Sequence, residues 1–323
     1  MKAAVVHEFQ SPPRYVDFDS PAAGPGEVLV RVSASALSQL VRAQASGKHY
    51  SSGRPPLVPG VDGVGHLEDG RRVYFAFPRM PFGAMAQTTV VSLNNCVDVP
   101  DEVDDITAAA IANPGMASWL ALTERAHLRA GETVFINGAA GASGRLAIRI
   151  AKHLGAGKVI ATTRNTAHFE ALRALGADSL IPLDLPEAEL RTAFREAIHA
   201  QGTVIVLDYL WGPSAEVFLQ VAGEYNGGQA QPRIRYVQIG SIAGNSISLP
   251  GPLLRSSGLE LLGSGLGSAS QAEIVAAAGA VFRIITRADL SIETECAGLE
   301  DIEQDWGRVT RARLVFQVDR ESA

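Results

Sequence analysis

The chain has 323 residues, a formal net charge of −6, 46% hydrophobic and 19% charged residues. That length allows two domains and a sizeable buried core, and the composition excludes a disordered chain. The acidic balance argues against a general nucleic-acid binder, which needs a basic face.

No apolar run approaches the ~18 residues of a membrane span; "IVAAAGAVF" (274–282) is short and amphipathic. "MKAAVVHEFQ" lacks the apolar stretch and cleavage site of a secretory signal. Cys96 and Cys296 are the only cysteines and lie far apart. They offer no disulfide framework and fit a reducing compartment, so the cytoplasm is the expected address.

In chain order, "KAAVVHEF", "EVLVRVSASAL", "GRRVYFAF" and "MAQTTVVS" are short β-prone runs separated by Pro/Gly clusters such as "PAAGPGE" and "GRPPLVPGVDG". They predict a barrel-like or sandwich-like domain over the first hundred or so residues. "DITAAAIANPGMASWLALTERA" predicts two helical pieces interrupted at Asn113-Pro114-Gly115. Strands and helices then alternate: strands "ETVFIN" (132–137), "KVIATT" (158–163), "SLIPL", "TVIVLDYL" (203–210), "RIRYVQIG" (233–240) and "GLELLGSG" (258–265). Helices are expected over 143–155, 166–176, around 187–200 and from Pro213. Such repeated βα units imply a parallel sheet with helices on both faces. After a helix near 270–285, "LSIETECAGL" and "ARLVFQVD" return to strand character, so the tail is expected to complete the first domain.

Between the first βα strand and its helix stands "NGAAGASGRLA" (137–147). Gly138, Gly141 and Gly144 have the three-residue spacing of a dinucleotide-binding turn. There glycine permits a sharp turn, the backbone approaches a pyrophosphate, and helix N-terminal amides meet the negative charge. Ser143 adds a hydroxyl. The alternative is a turn of small residues that merely packs a helix closely on a strand; the surrounding βα units favour the cradle.

An NAD-preferring site usually places an acid about 20 residues past the glycines to hold the ribose 2′-OH. This chain reads "ATTRN" (161–165), with no acid before Glu170. Thr162, Thr163 and the planar fork of Arg164 suit a 2′-phosphate instead, which points to NADPH; the alternative is a solvated arginine after a strand. The seven histidines show no metal-like pairing, and two distant cysteines cannot build a thiolate site, so the inventory argues against zinc.

Together, "GPGEVLVRVSASALS" (24–38), "PGVDGVG" (59–65), "NPGMASWLAL" (113–122), "VFINGAAGASGRLAIRIAKHLGA" (134–156) and "VLDYLWG" (206–212) resemble the zinc-free quinone oxidoreductase branch of the medium-chain dehydrogenase/reductase superfamily. The resemblance spans nearly the whole chain. It implies an α/β protein with a GroES-like β-barrel catalytic and substrate domain over 1–112, completed by 285–323. A doubly wound parallel-sheet Rossmann domain that binds NADPH is implied over 113–284. Zinc-dependent relatives carry a metal-ligand cysteine where this chain has Ser38 and a histidine where it has Val61, in keeping with no metal. Quinone oxidoreductases commonly carry Asn at the Ser38 position and Asp three residues on, where this chain has Val41, so the polar character expected there is weakened.

Carried onto this chain, the resemblance implies Tyr50 and Ser38 as catalytic residues, Tyr50 hydrogen-bonding a substrate carbonyl or relaying a proton. A loop tyrosine packing on the barrel is the alternative. Arg42 is a nearby cation that either contacts substrate or is solvated. Asn113 and Met116 would line the nicotinamide side. Gly138, Ala140, Gly141, Ala142, Ser143 and Gly144 would hold the pyrophosphate, and Thr163 and Arg164 the 2′-phosphate. Tyr209 and Leu210 would pass over the cofactor, and Ile239, Gly240 and Ser241 would hold its carboxamide. The implied activity is NADPH-dependent, zinc-independent hydride transfer to a small quinone or enone. The alternatives are reduction of a larger acyl or polyketide-type enoyl intermediate, or a non-catalytic NADPH-binding redox sensor. A homodimer through the Rossmann sheet edge, at "GLELLGSG", is implied as well.

Overall fold

The protein, seen in a computed structural model, is described over residues 1–199, 202–224, 231–310 and 312–318. The chain forms two compact units, one of Met1–Asn113, Gln271–Ile285 and Ser291–Ala323, the other of Pro114–Ser270 and Thr286–Leu290.

The first unit is built on strands β1 (Lys2–Val5), β2 (Arg14–Asp17), β3 (Glu27–Ala36), β4 (Asp62–Leu67), β5 (Arg72–Ala76), β6 (Thr88–Ser92) and β7 (Cys96–Asp98). Helix α1 (Gln39–Ala45) follows β3. β1 and β2 form an antiparallel ribbon, and β3 pairs antiparallel with both β4 and β6. On β3, Val30, Val32 and Ala34 are buried while Arg31 is exposed, the period-two alternation of a strand with one face on a core. That core gathers Val30, Val32, Phe75, Met85 and Phe316.

Helix α2 (Asp105–Leu120) runs unbroken through Asn113-Pro114-Gly115, where the sequence predicts an interruption. Pro114 removes one amide donor, a cost of about 3 kcal/mol in a helix interior. Against this, Ala108, Ala109, Ala110, Ile111 and Ala112 are all buried, and their packing holds the helix together. The boundary between units falls within α2, between Asn113 and Pro114.

The second unit follows with β8 (Thr133–Asn137), α3 (Ala142–His153), β9 (Lys158–Thr163), α4 (Phe169–Ala174), β10 (Ser179–Pro182) and α5 (Glu187–His199). It continues with β11 (Thr203–Asp208), α6 (Gly212–Ala222), β12 (Arg233–Gln238), α7 (Pro252–Ser256) and β13 (Gly258–Gly263). The strands form one six-stranded sheet in the order β10-β9-β8-β11-β12-β13, every pair parallel. This is the doubly wound 3-2-1-4-5-6 order, whose ligand crevice opens between the first and fourth strands at their carboxyl ends. All five residues of β8 are buried, as a central strand covered by helices on both faces requires. Beneath it Phe135, Phe194 and Phe218 pack ring against ring, with centroids 4.9–5.5 Å apart.

The chain then forms α8 (Gln271–Ile284), β14 (Thr294–Gly298), α9 (Ile302–Asp305) and β15 (Arg313–Gln317). β15 pairs with β3, so the tail completes the first unit's seven-stranded sheet, with β14 parallel to β15. α8 also belongs to the first unit, whereas the sequence places residues up to 284 in the nucleotide domain. Its partners explain this: Phe282 meets Tyr74 of β5 at 5.7 Å, and Gly279 lies against Val97 of β7. Among the described residues, no helix is long and apolar enough to cross a membrane.

Candidate functional site

The turn between β8 and α3 uses its three glycines for three different reasons. Gly138 has φ +90°, a conformation that penalises side chains, and a Cβ there would meet Leu210 at 2.8 Å. At Gly144 a Cβ would meet Ala139 Cα and the Gly138 carbonyl oxygen at 2.6 Å, so glycine lets the helix close on the turn. Gly141, at φ −73° as the N-cap of α3, has ordinary backbone geometry. A Cβ there would meet nothing nearer than the Gly138 oxygen at 3.9 Å. Folding itself therefore does not require glycine at 141; the space beside it is open.

The first hydrogen bond of α3 runs from Arg145 N–H to the Gly141 carbonyl, at 3.0 Å. Among the described residues the N–H groups of 140–144 make no hydrogen bond. A run of unpaired amides at the positive end of a twelve-residue helix offers donors suited to an anion, and the bare Cα of Gly141 leaves the space beside them open.

A buried polar chain fixes this turn to the sheet. Gly138 N–H donates to Thr162 Oγ1 (3.1 Å), and the Thr162 hydroxyl donates to Asn137 Oδ1 (2.9 Å). Asn137 Nδ2 donates to Asp208 Oδ1 at 2.8 Å. Asp208 also accepts from the N–H groups of Leu210 (2.9 Å) and Trp211 (3.0 Å) and from the Tyr236 hydroxyl (2.7 Å). Burial raises its carboxyl above the usual range, against the pull of those donors. The same carboxylate steadies a strained turn, since Trp211 has φ +57° and Gly212 follows at +63°.

Three chain segments thus meet at the carboxyl edge of the sheet. Leu210 lies over Gly138. The N–H groups of Ile239 and Gly240 both donate to the Asp208 carbonyl, at 2.8 and 3.1 Å, so they are not free for a carboxamide; Ser241 N–H makes no hydrogen bond among the described residues. A cavity of about 390 Å³ beside them is lined by Trp211, Gln238, Ser241, Asn245 and Leu261–Gly263. Tyr209 turns its hydroxyl inward to Ser118 Oγ (2.8 Å), which reaches the Ser143 carbonyl at 3.2 Å. Burial pushes that phenol well up. Met116 and Asn113, both half-buried, lie on α2 before Ser118.

At the end of β9, Thr162 closes the turn from inside and is fully buried, so it is a structural residue and no phosphate ligand. The Thr163 hydroxyl accepts from Asn165 N–H at 3.3 Å. Arg164 is exposed, and among the described residues its guanidinium has no carboxylate partner. In the first unit, Ser38 caps α1, its oxygen accepting from Val41 N–H at 3.1 Å. Tyr50 is 75% exposed and stacks on His49 at 4.1 Å. Arg42 is no substrate cation here: it donates to the Trp306 and Arg308 carbonyls and lies over the Trp306 ring. No three His, Cys, Asp or Glu side chains gather to hold a metal among the described residues. Sequence reasoning missed Asn137 and Asp208, whose only local mark is a polar residue closing an apolar strand.

No protein-family model matches the chain. It is 31% identical over 318 residues to the probable NADPH-dependent quinone reductase tdiC of Emericella nidulans, which covers 85% of this chain and 87% of that protein. It is 27% identical over 242 residues to the trans-enoyl reductase pgmF of Aspergillus terreus, covering 68% of this chain and 63% of that protein. The structure of a mycobacterial quinone oxidoreductase shares the fold, with TM-score 0.82 at 22% identity over 98% of this chain and 100% of that one. With the glycine turn on a 3-2-1-4-5-6 sheet and a relative of this similarity along most of its length, the chain belongs to the quinone oxidoreductase-like branch of the medium-chain dehydrogenase/reductase superfamily and is an oxidoreductase.

Proposed function

We propose that the chain is an NADPH-dependent reductase that delivers hydride to a small quinone or α,β-unsaturated carbonyl acceptor. The observation that carries this reading is the unpaired amide run at 140–144 beside a strand end that offers Arg164 and no acid. When bound, the nicotinamide supplies the hydride equivalent.

The chain's own residues bind and orient. The amides of Ala140, Gly141, Ala142, Ser143 and Gly144 receive the pyrophosphate, and Arg164 with Thr163 holds the 2′-phosphate. Ser241 N–H is the free donor for the carboxamide; Ile239 and Gly240 shape the strand end that presents it. Leu210 covers the turn, Tyr209 braces it through Ser118, and Asn113 and Met116 face the nicotinamide. Ser38 keeps its O–H for an acceptor oxygen while its lone pair caps α1, and Tyr50 gives a proton to the acceptor's enolate. The chemistry needs no metal. Because β13 is an edge strand of the sheet, a homodimer paired there, in the cytoplasm, completes the reading.

The test is steady-state oxidation of NADPH and NADH against a panel of enones and quinones. Turnover with NADPH supports the proposal; tight NADPH binding with no acceptor consumed contradicts it. Arg164→Ala is expected to weaken NADPH about tenfold or more and to leave NADH within twofold. Equal losses would remove Arg164 from the phosphate site. Similarity to a trans-enoyl reductase keeps a larger enoyl thioester as the second reading, decided by including acyl thioesters in the panel.

A further inference from the structure

The first turn of α3 carries Arg145, one residue past the last glycine, and its side chain folds back across the turn. Its Nε donates to the Ala140 carbonyl at 3.0 Å. Its Nη2 stands 3.5 Å from His168 Nδ1, on the short helical turn Thr166–His168 that follows β9. That turn is itself fixed, because Asn165 Oδ1 accepts from Ala167 N–H at 3.0 Å. Arg145 is half-buried, yet among the described residues no carboxylate pairs with it. Five arginines of the second unit do pair with acids, Arg149 with Asp289, Arg191 and Arg195 with Glu224, Arg233 with Glu260 and Arg235 with Glu132; Arg125, whose Nε donates to the Gly263 carbonyl, and Arg164 have no such partner among the described residues. A half-buried guanidinium with no carboxylate partner and its fork held by the turn is set for an anion that the chain does not supply.

Its position says which anion. The turn it crosses is tied to the end of β9 by Ala139 N–H donating to the Thr162 carbonyl at 2.9 Å. The ribose 2′-substituent lies at the end of the second strand in such folds. We infer that Arg145, steered by His168, is a specificity-determining ligand of the cofactor's 2′-phosphate, sharing it with Arg164. The inference rests on the NADPH reading above. It adds that discrimination comes from the helix as well as the strand end: the bond to Ala140 sets the fork in place before ligand arrives, so little side-chain entropy is lost on binding.

The test is calorimetric titration of the full chain with adenosine 2′,5′-bisphosphate and with ADP. Arg145→Ala is expected to lose about tenfold or more in affinity for the bisphosphate and less than twofold for ADP. Arg145→Gln, which keeps a donor for the Ala140 carbonyl, is expected to show the same selective loss. His168→Ala is expected to show a smaller selective loss, since it frees the fork without removing it. Equal losses for both nucleotides in the Arg145 variants would make the residue a brace of the turn and overturn the inference. Selective loss confined to Arg164→Ala would also overturn it while the NADPH reading stood. A wild-type chain that prefers ADP would sink both.

Discussion

At the scale of the residue, the three glycines of one turn separate folding from function. Gly138 and Gly144 are demanded by the chain itself, through a positive φ and a backbone approach, whereas the fold makes no such demand of Gly141, which the proposed function assigns to the pyrophosphate. Gly141→Ala is therefore expected to fold with a stability loss of at most about 1 kcal/mol, the usual cost at an N-cap. Its nucleotide affinity should fall about tenfold or more, as amide-to-phosphate bonds are lost. Thermal melting and nucleotide titration on the same sample decide it; unchanged affinity would mean the pyrophosphate lies elsewhere. A second residue-scale prediction concerns Asp62, where burial raises the carboxyl to about 6, against the pull of Arg313 and the Tyr74 hydroxyl at 2.9 Å. Its other oxygen has no hydrogen-bond partner among the described residues. Because the folded state holds this proton more tightly than the unfolded chain, whose carboxyl has the ordinary 3.8, the contribution favours folding at low pH. It is lost as pH rises through about 4 to 6. Asp62→Asn should flatten that arm of the stability profile by up to a few kcal/mol, measured by urea denaturation at a series of pH values. An unchanged profile would show that the Asp62 carboxyl titrates alike in the folded and unfolded chain, without the upward shift.

At the scale of the element, the central strands of the second unit were plain in the sequence because β8, β9 and β11 are apolar runs buried on both faces. The glycine turn was plain because its spacing is local. Asn137 and Asp208 were not, and Thr162 read as a phosphate donor rather than a brace: only the strand order brings the ends of β8, β9 and β11 together. The unbroken α2 was hidden for a related reason, since Pro114 reads as a stop locally while the buried alanines before it carry the helix through. The strand that holds the turn in place has a measurable cost of removal. Phe135 on β8 packs between Phe194 and Phe218 at 5.5 and 4.9 Å, and Phe135→Ala should destabilise by about 3–5 kcal/mol. Chemical denaturation would show it as a lower midpoint at unchanged slope; a loss below about 1 kcal/mol would mean the aromatic cluster collapses to fill the gap.

At the scale of the whole molecule, the return of the tail to the first unit was legible from its strand character, and β15 beside β3 accords with it. The membership of α8 was not legible, because its partners Tyr74 and Val97 lie far earlier in the chain and no local signal names them. In the proposed function, hydride passes from NADPH to an electrophilic carbon of the acceptor. Its most direct test is turnover of an enone with NADPH deuterated at the transferable position, followed by mass and NMR analysis of the product. The expected product is a saturated ketone with a single deuterium on the β-carbon. Deuterium retained in the cofactor, or at the carbonyl carbon of an alcohol product, would contradict it.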